Sequence, residues 1–226
     1  MQHSKTKSCD LVAIGSLGEV VAKKKFKRKI LKGKDLHVWG TGFLLPGKTY
    51  NNRFLNVHAL RGELSKNRFR IKANIALGDP GILVSKLYEN SNNIYPEGTV
   101  LCMPHACDSD SKKWIDKVKE IYQEENVKFI SIKRSFIEII DAIRSSDFIF
   151  TTAMHPLIVS NSFEKKVVYI SPRNVHPGGN YKLVDYFSVF DLDFKQCGID
   201  FFINEIDKKM KCSIYLITLV SLMIEF

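Results

Sequence analysis

Residues 151–155 read Thr-Thr-Ala-Met-His, and Pro156 follows. The histidine stands between an apolar run, Phe148–Phe150, and a segment whose apolar residues recur at helical spacing. Proline is tolerated in the first turn of a helix, and the residue before it is pushed toward extended geometry. The spacing predicts a helix over 156–163 with His155 at its mouth. There it meets backbone amides and the positive end of the helix dipole, a place that suits phosphate or carboxylate. An anion arriving there would raise the proton affinity of the imidazole, which is useful in a general acid. The same ring could instead serve as a hydrogen-bonded cap. Thr151 and Thr152 could bond phosphate oxygens or hold the turn.

Other residues of suitable type collect after apolar runs. His105 follows Val100–Met103 and faces the same edge as His155. Arg61 follows Val57–Leu60; its guanidinium could fork onto carboxylate or phosphate, or pair with Glu63 or Glu89. Asp79 could cap a helix over 81–89. Gly15 and Ser16 close one early run; Gly40, Thr41 and Gly42 close the next. His176, Gly178, Gly179 and Lys182 lie in a loop able to lean over a cleft. His3, His37 and His58 show no constellation and read as structural. The chain has no GxSxG, Walker A, HExxH or GxGxxG motif.

The elements that position these residues alternate. Strand-like runs at 10–14, 36–39, 57–60, 75–77, 100–103, 127–132, 148–150 and 167–170 are separated by helix-like segments. That alternation means βαβ units and parallel sheet, an α/β fold. A linker-like stretch at 90–98 breaks it and predicts two Rossmann-like halves, 1–90 and 91–226. In open parallel sheets ligands bind beyond the carboxyl ends of strands, where these glycines and polar residues stand.

Composition bounds the rest. At 226 residues, 45% of them apolar, the chain can bury one large core or two modest ones. The five scattered cysteines form no CxxC pair, which argues against a disulfide framework and structural zinc; no metal site is expected. No signal peptide opens the chain, and a cytoplasmic setting is expected. The longest apolar run, Ile214–Ile224, is shorter than the roughly 20 residues that span a bilayer. Of the net charge of +10, residues 1–34 carry ten Lys or Arg against two acids, mainly in KKKFKRKILKGK at 23–34. That stretch fits a solvated helix face or an anionic partner such as a membrane surface. Without a zinc-finger, RNP or basic-zipper pattern, nucleic acid is not the expected partner.

Seven pieces in order resemble the polysaccharide pyruvyltransferase family. They are Gly15-Ser16, Trp39-Gly40-Thr41-Gly42, Arg61-Gly62-Glu63-Leu64-Ser65, Gly78-Asp79-Pro80, Pro104-His105, Thr151 through Val159 around His155, and Gly178 through Phe187. The resemblance implies a glycosyltransferase-B-like pair of Rossmann-like halves. It also implies transfer of pyruvate from phosphoenolpyruvate, as a cyclic ketal, to two hydroxyls of a glycan or lipid-linked oligosaccharide, without a further cofactor. It implies a donor-binding, catalytic role for His155. His105 or Asp79 are candidates for the base, and Arg61, Thr151, Thr152, Gly178, Gly179 and Lys182 for holding the donor. Gly15, Ser16, Gly40, Thr41, Gly42 and Asp79 fall on the acceptor side, in the N-terminal half. Relatives carry a further βαβ unit before the Gly15-Ser16 strand, so that half is expected to be shortened. Ala153 stands where many relatives have arginine or serine, Pro156 replaces their glycine, and Glu63 replaces their proline. A nucleotide-sugar glycosyltransferase on the same architecture and a non-catalytic basic binding module are the alternative readings.

Overall fold

The computed structural model describes residues 9–88, 93–171, 178–190 and 197–198. The expectations on His3, Glu89, His176 and the apolar run after residue 213 lie outside them. Two units emerge, one from Met1–Pro80 with His176–Phe194, the other from Gly81–Val175 with Lys195–Phe226. The division thus falls after Pro80 rather than at 90, and the segment carrying Gly178 to Lys182 belongs to the first unit, not the second.

In the first unit, β1 (Leu11–Ala13), β2 (Leu36–Trp39), β3 (Leu55–Leu60) and β4 (Ala76–Leu77) form a parallel sheet in chain order. Helix α1 (Gly18–Lys32) joins β1 to β2, and α2 (Glu63–Arg68) joins β3 to β4. Every step moves the same way across the sheet, so right-handed crossovers set the connections on one face. Val12, Leu36 and Val38 point to that face and bury with Val21, Ala22, Phe43, Leu60 and Phe69. The alternate residues His37, Trp39, Asn56 and His58 are exposed on the other. Register slips between Val38, paired with Val57, and Trp39, paired with Ala59, which leaves His58 as the extra residue of β3. Gly33 ends α1 in the left-handed conformation that glycine adopts without strain, at φ 67°.

The second unit begins with a 3-10 turn, whose Pro80 closes the first, and α3 (Val84–Leu87). Next come β5 (Val100–Met103), α4 (Ser111–Tyr122), β6 (Val127–Phe129), α5 (Phe136–Arg144), β7 (Phe148–Thr151), α6 (Met154–Ser162), β8 (Lys166–Ser171) and β9 (Cys197–Gly198). The first unit's remaining helix is α7 (Tyr181–Phe187). Parallel strands stand in the order β6-β5-β7-β8-β9. Every residue of β5 is buried, as expected of a strand covered on both faces. Trp114 and Val118 of α4 pack with Val100, Cys102, Phe150 and Val168 on one side. Ser135 opens α5 with a capping box: its side chain accepts the Glu138 amide, and Glu138 accepts the Ser135 amide in return.

Helix α6 begins two residues earlier than its apolar spacing suggests. The cause is Thr151, whose Oγ1 accepts the Ala153 amide at 3.0 Å and turns the chain at once. Pro156 becomes the third helical residue, where its missing N–H has no intrahelical partner to lose. His155 is therefore helical rather than extended.

Candidate active site

Strand order decides where the second unit can bind a ligand. From β5 the chain crosses to β6 on one side, then returns over β5 to β7 on the other. That reversal between β5 and β7 is a topological switch point, and a crevice opens beyond the carboxyl ends of such strands. His105 stands just past the end of β5, and His155 just past the end of β7. Both histidines thus sit on neighbouring corners of one unit. His155 is exposed and His105 half-buried.

A buried network sets the His105 corner. Thr152 Oγ1 accepts the His105 amide at 2.8 Å and donates to Asp108 Oδ2 at 2.8 Å. The same carboxylate oxygen accepts the Trp114 indole N–H at 2.9 Å, and Asp108 Oδ1 accepts the Asp110 amide at 3.0 Å. Asp108 escapes a sequence reading because its side-chain partners come from another loop and a helix. A trace of it exists in the Asp108-x-Asp110 pair just before α4. Its charge also helps push the Tyr169 phenol upward, after burial, which is the larger cause.

The network assigns His105 a tautomer. The Cys107 amide donates to His105 Nδ1 at 3.2 Å, so that nitrogen keeps its lone pair. In the neutral ring the proton then lies on Nε2, which is a donor. This departs from the expectation of His105 as a base: the neutral ring offers an N–H at its other nitrogen. The two threonines also differ from expectation. Thr151 is fully buried and donates to Met103 O at 2.7 Å, while Thr152 donates to Asp108. Each hydroxyl has one proton, and both protons point into the protein, so these residues build the corners instead of gripping phosphate.

The first unit gathers the remaining candidates. Arg61 is 0% exposed. Its Nε and Nη2 reach Asp185 Oδ2 at 3.0 and 2.9 Å, Nη1 donates to Ser16 Oγ at 2.9 Å, and Nη2 donates to Phe43 O at 2.6 Å. Glu63 is not among these partners, Glu89 lies outside the described residues, and a guanidinium so enclosed holds the fold rather than a donor. Asp185 completes the pair by accepting the Ser65 amide at 2.8 Å and the Ser65 hydroxyl at 2.5 Å. Its motif is visible in the sequence, but its partners are not. Around this centre Thr41 Oγ1 donates to Gly15 O and accepts the Leu17 amide, and Gly42 bonds Gly15 O and Gly18. A side chain at Gly42 would collide with Arg61, one at Gly40 with Pro80, and one at Gly178 with Leu44 O. Gly179 adopts φ +50°. Asp79 is buried just before the 3-10 turn; it does not cap α3, whose N-cap is Leu83 without a side-chain bond.

Lys182 is 6% exposed in this unit. Burial, and after it the Arg61 guanidinium, hold its ammonium down to about 8. Cys102, by contrast, is pushed up to about 12 by burial and is no nucleophile. No group of three or more metal-ligating side chains occurs among the described residues.

Comparison with known proteins agrees with the motifs. The family described as polysaccharide pyruvyl transferase matches residues 2–174. An uncharacterized protein of Acanthamoeba polyphaga mimivirus is 25% identical over 170 residues, covering 72% of this chain and 58% of its own length. The chain therefore spans under two thirds of that relative. No solved structure matches. With the family matched over residues 2–174, most of both units, the chain belongs to the polysaccharide pyruvyl transferase family.

Proposed function

We propose that the protein transfers pyruvate from phosphoenolpyruvate to two hydroxyls of a glycan sugar, forming a cyclic ketal during exopolysaccharide, capsule or lipopolysaccharide synthesis. The observation that carries this reading is the pair of histidines, His105 and His155, at the two corners of the switch point between β5 and β7. Phosphoenolpyruvate carries a carboxylate and a phosphate. The N-terminus of α6 and the Nε2–H of His105 are suited to such anions.

The chemistry needs one acid and one base, and His155 can serve as both in turn. As imidazolium it protonates the methylene carbon of the enol, making the neighbouring carbon electrophilic. A sugar hydroxyl adds there and returns its proton to His155. The bond to phosphate then breaks, and the second hydroxyl closes the ring, its proton leaving with phosphate. No further cofactor enters this balance.

The glycan acceptor, lipid-linked in this reading, brings the enzyme to a membrane face. Helix α1 has the surface for it: Phe26, Ile30 and Leu31 are 59%, 69% and 70% exposed among exposed Lys23, Lys24, Lys27 and Lys32. No helix among the described residues is long and apolar enough to cross a membrane. The test is phosphate release from phosphoenolpyruvate across a panel of galactose- and mannose-bearing acceptors. Release that depends on acceptor supports the proposal. Folded protein that binds a nucleotide sugar but not phosphoenolpyruvate would replace it with glycosyl transfer.

A further inference from the structure

The open face of the first unit's sheet carries a pair of histidines that the chemistry above does not use. His37 on β2 and His58 on β3 stand side by side, with His37 Nδ1 and His58 Nε2 only 2.8 Å apart. Their rings are coplanar to within 1°, with centroids 5.1 Å apart, so the contact is an in-plane hydrogen bond between imidazoles. One ring donates and the other accepts, which requires that at least one be neutral. Their proximity comes from the irregularity in β3. With Val38 opposite Val57 and Trp39 opposite Ala59, His58 is the extra residue, and bulges re-aim side chains in this way. Both rings are exposed and border a cavity of about 420 Å³ that Asn52 and Asn56 also line.

We propose that His37 and His58 form a two-imidazole site for a nitrogen-preferring divalent transition ion, with Cu²⁺ held more tightly than Ni²⁺ or Zn²⁺. Two nitrogens each about 2.0–2.1 Å from a metal, at a right angle, lie about 2.9 Å apart. The pair stands close to that separation already. The N–H of one ring and the lone pair of the other now point along the line between the nitrogens, so each ring must swing by about 45° to aim at a metal beside that line. Exposure and the adjoining cavity leave room for the swing. The donor ring must also shift its proton to its other nitrogen, which solvent can carry, so the charge of the neutral pair is unchanged. Water fills the other coordination positions, since no third ligand joins the pair among the described residues. Imidazole ligation favours copper, nickel and zinc over magnesium and calcium, and copper leads that series.

Trp39 supplies the readout. It lies two residues along β2 from His37 and is 38% exposed, whereas the other tryptophan, Trp114, is fully buried. Metal-stripped full-length protein would be titrated with Cu²⁺ while tryptophan emission is followed, with Mg²⁺ as the control ion. We expect saturable quenching with one ion per chain. Apparent affinity should fall by about tenfold or more in His58→Ala and again in His37→Ala, the scale of losing a metal-supporting contact. Trp39→Phe should lose the quenching yet retain one bound ion by equilibrium dialysis. Circular dichroism checks that each variant folds. Equal Cu²⁺ affinity in wild type and in both alanine variants would overturn the proposal, as would stoichiometric binding that persists in the double variant.

Discussion

At the scale of single residues, the clearest energetic statement concerns Lys182. Burial and the Arg61 charge lower its proton affinity to about 8, so the folded protein disfavours the ammonium that the unfolded chain accepts up to about 10.5. The sign follows: below pH 8 both states are protonated and the fold carries the whole penalty, which is relieved as pH rises toward 10.5. Lys182→Met should therefore stabilise the protein, by about 1–3 kcal/mol at pH 7. Its advantage in thermal melts should shrink between pH 8 and 10.5. A variant no more stable than wild type at pH 7 would contradict this account of the lysine. Thr152 is the other informative position. Thr152→Val keeps the shape but removes the acceptor for the His105 amide and the donor to Asp108. The expected cost is about 1–3 kcal/mol, read by urea denaturation, with lower turnover because the His105 corner loosens.

At the scale of elements, α7 is seated on the start of α2. The Asp185 carboxylate takes Arg61 and Ser65, Ser188 Oγ accepts the Glu63 amide, and a Cβ at Gly62 would lie 1.6 Å from Asp185 O. Gly62→Ala therefore cannot keep α7 where it is. We expect the α7 segment to be cleaved early in limited proteolysis, at protease levels that leave wild type intact; equal resistance would contradict this seating. The strands were legible in the sequence because short apolar runs between glycines are a local signal, and β5, β7 and β8 fall where those runs do. The start of α6 was not, since a hydroxyl of Thr151, rather than the apolar period, turns the chain. Nor was the Arg61–Asp185 pair, whose members are 124 residues apart, or the meeting of His37 with His58, which depends on a slip in strand register. The motif residues could be found, but their roles could not: a buried arginine and a catalytic one look alike until their partners are known.

At the scale of the whole molecule, two parallel-sheet units were foreseen from alternating elements, but not that the chain would return to the first unit after β8. That return depends on tertiary contacts of Asp185, which no linker composition reports. The concentration of positive charge in residues 1–34 acts at this scale too. Vesicles containing anionic lipid should sediment the protein at low salt and release it as salt rises. Replacing Lys23, Lys24 and Lys27 by glutamine should abolish the binding without changing the melting temperature by more than a few degrees. Binding that survives the replacement would remove α1 as the contact. The central claim is that His155 at the β7 corner handles an anionic, three-carbon donor. Calorimetry of phosphoenolpyruvate binding, paired with phosphate-release kinetics, tests it in wild type and in His155→Ala. The account predicts weaker binding and a loss of turnover of about 10²–10⁴-fold in the variant. Equal affinity and equal turnover in the two proteins would contradict it.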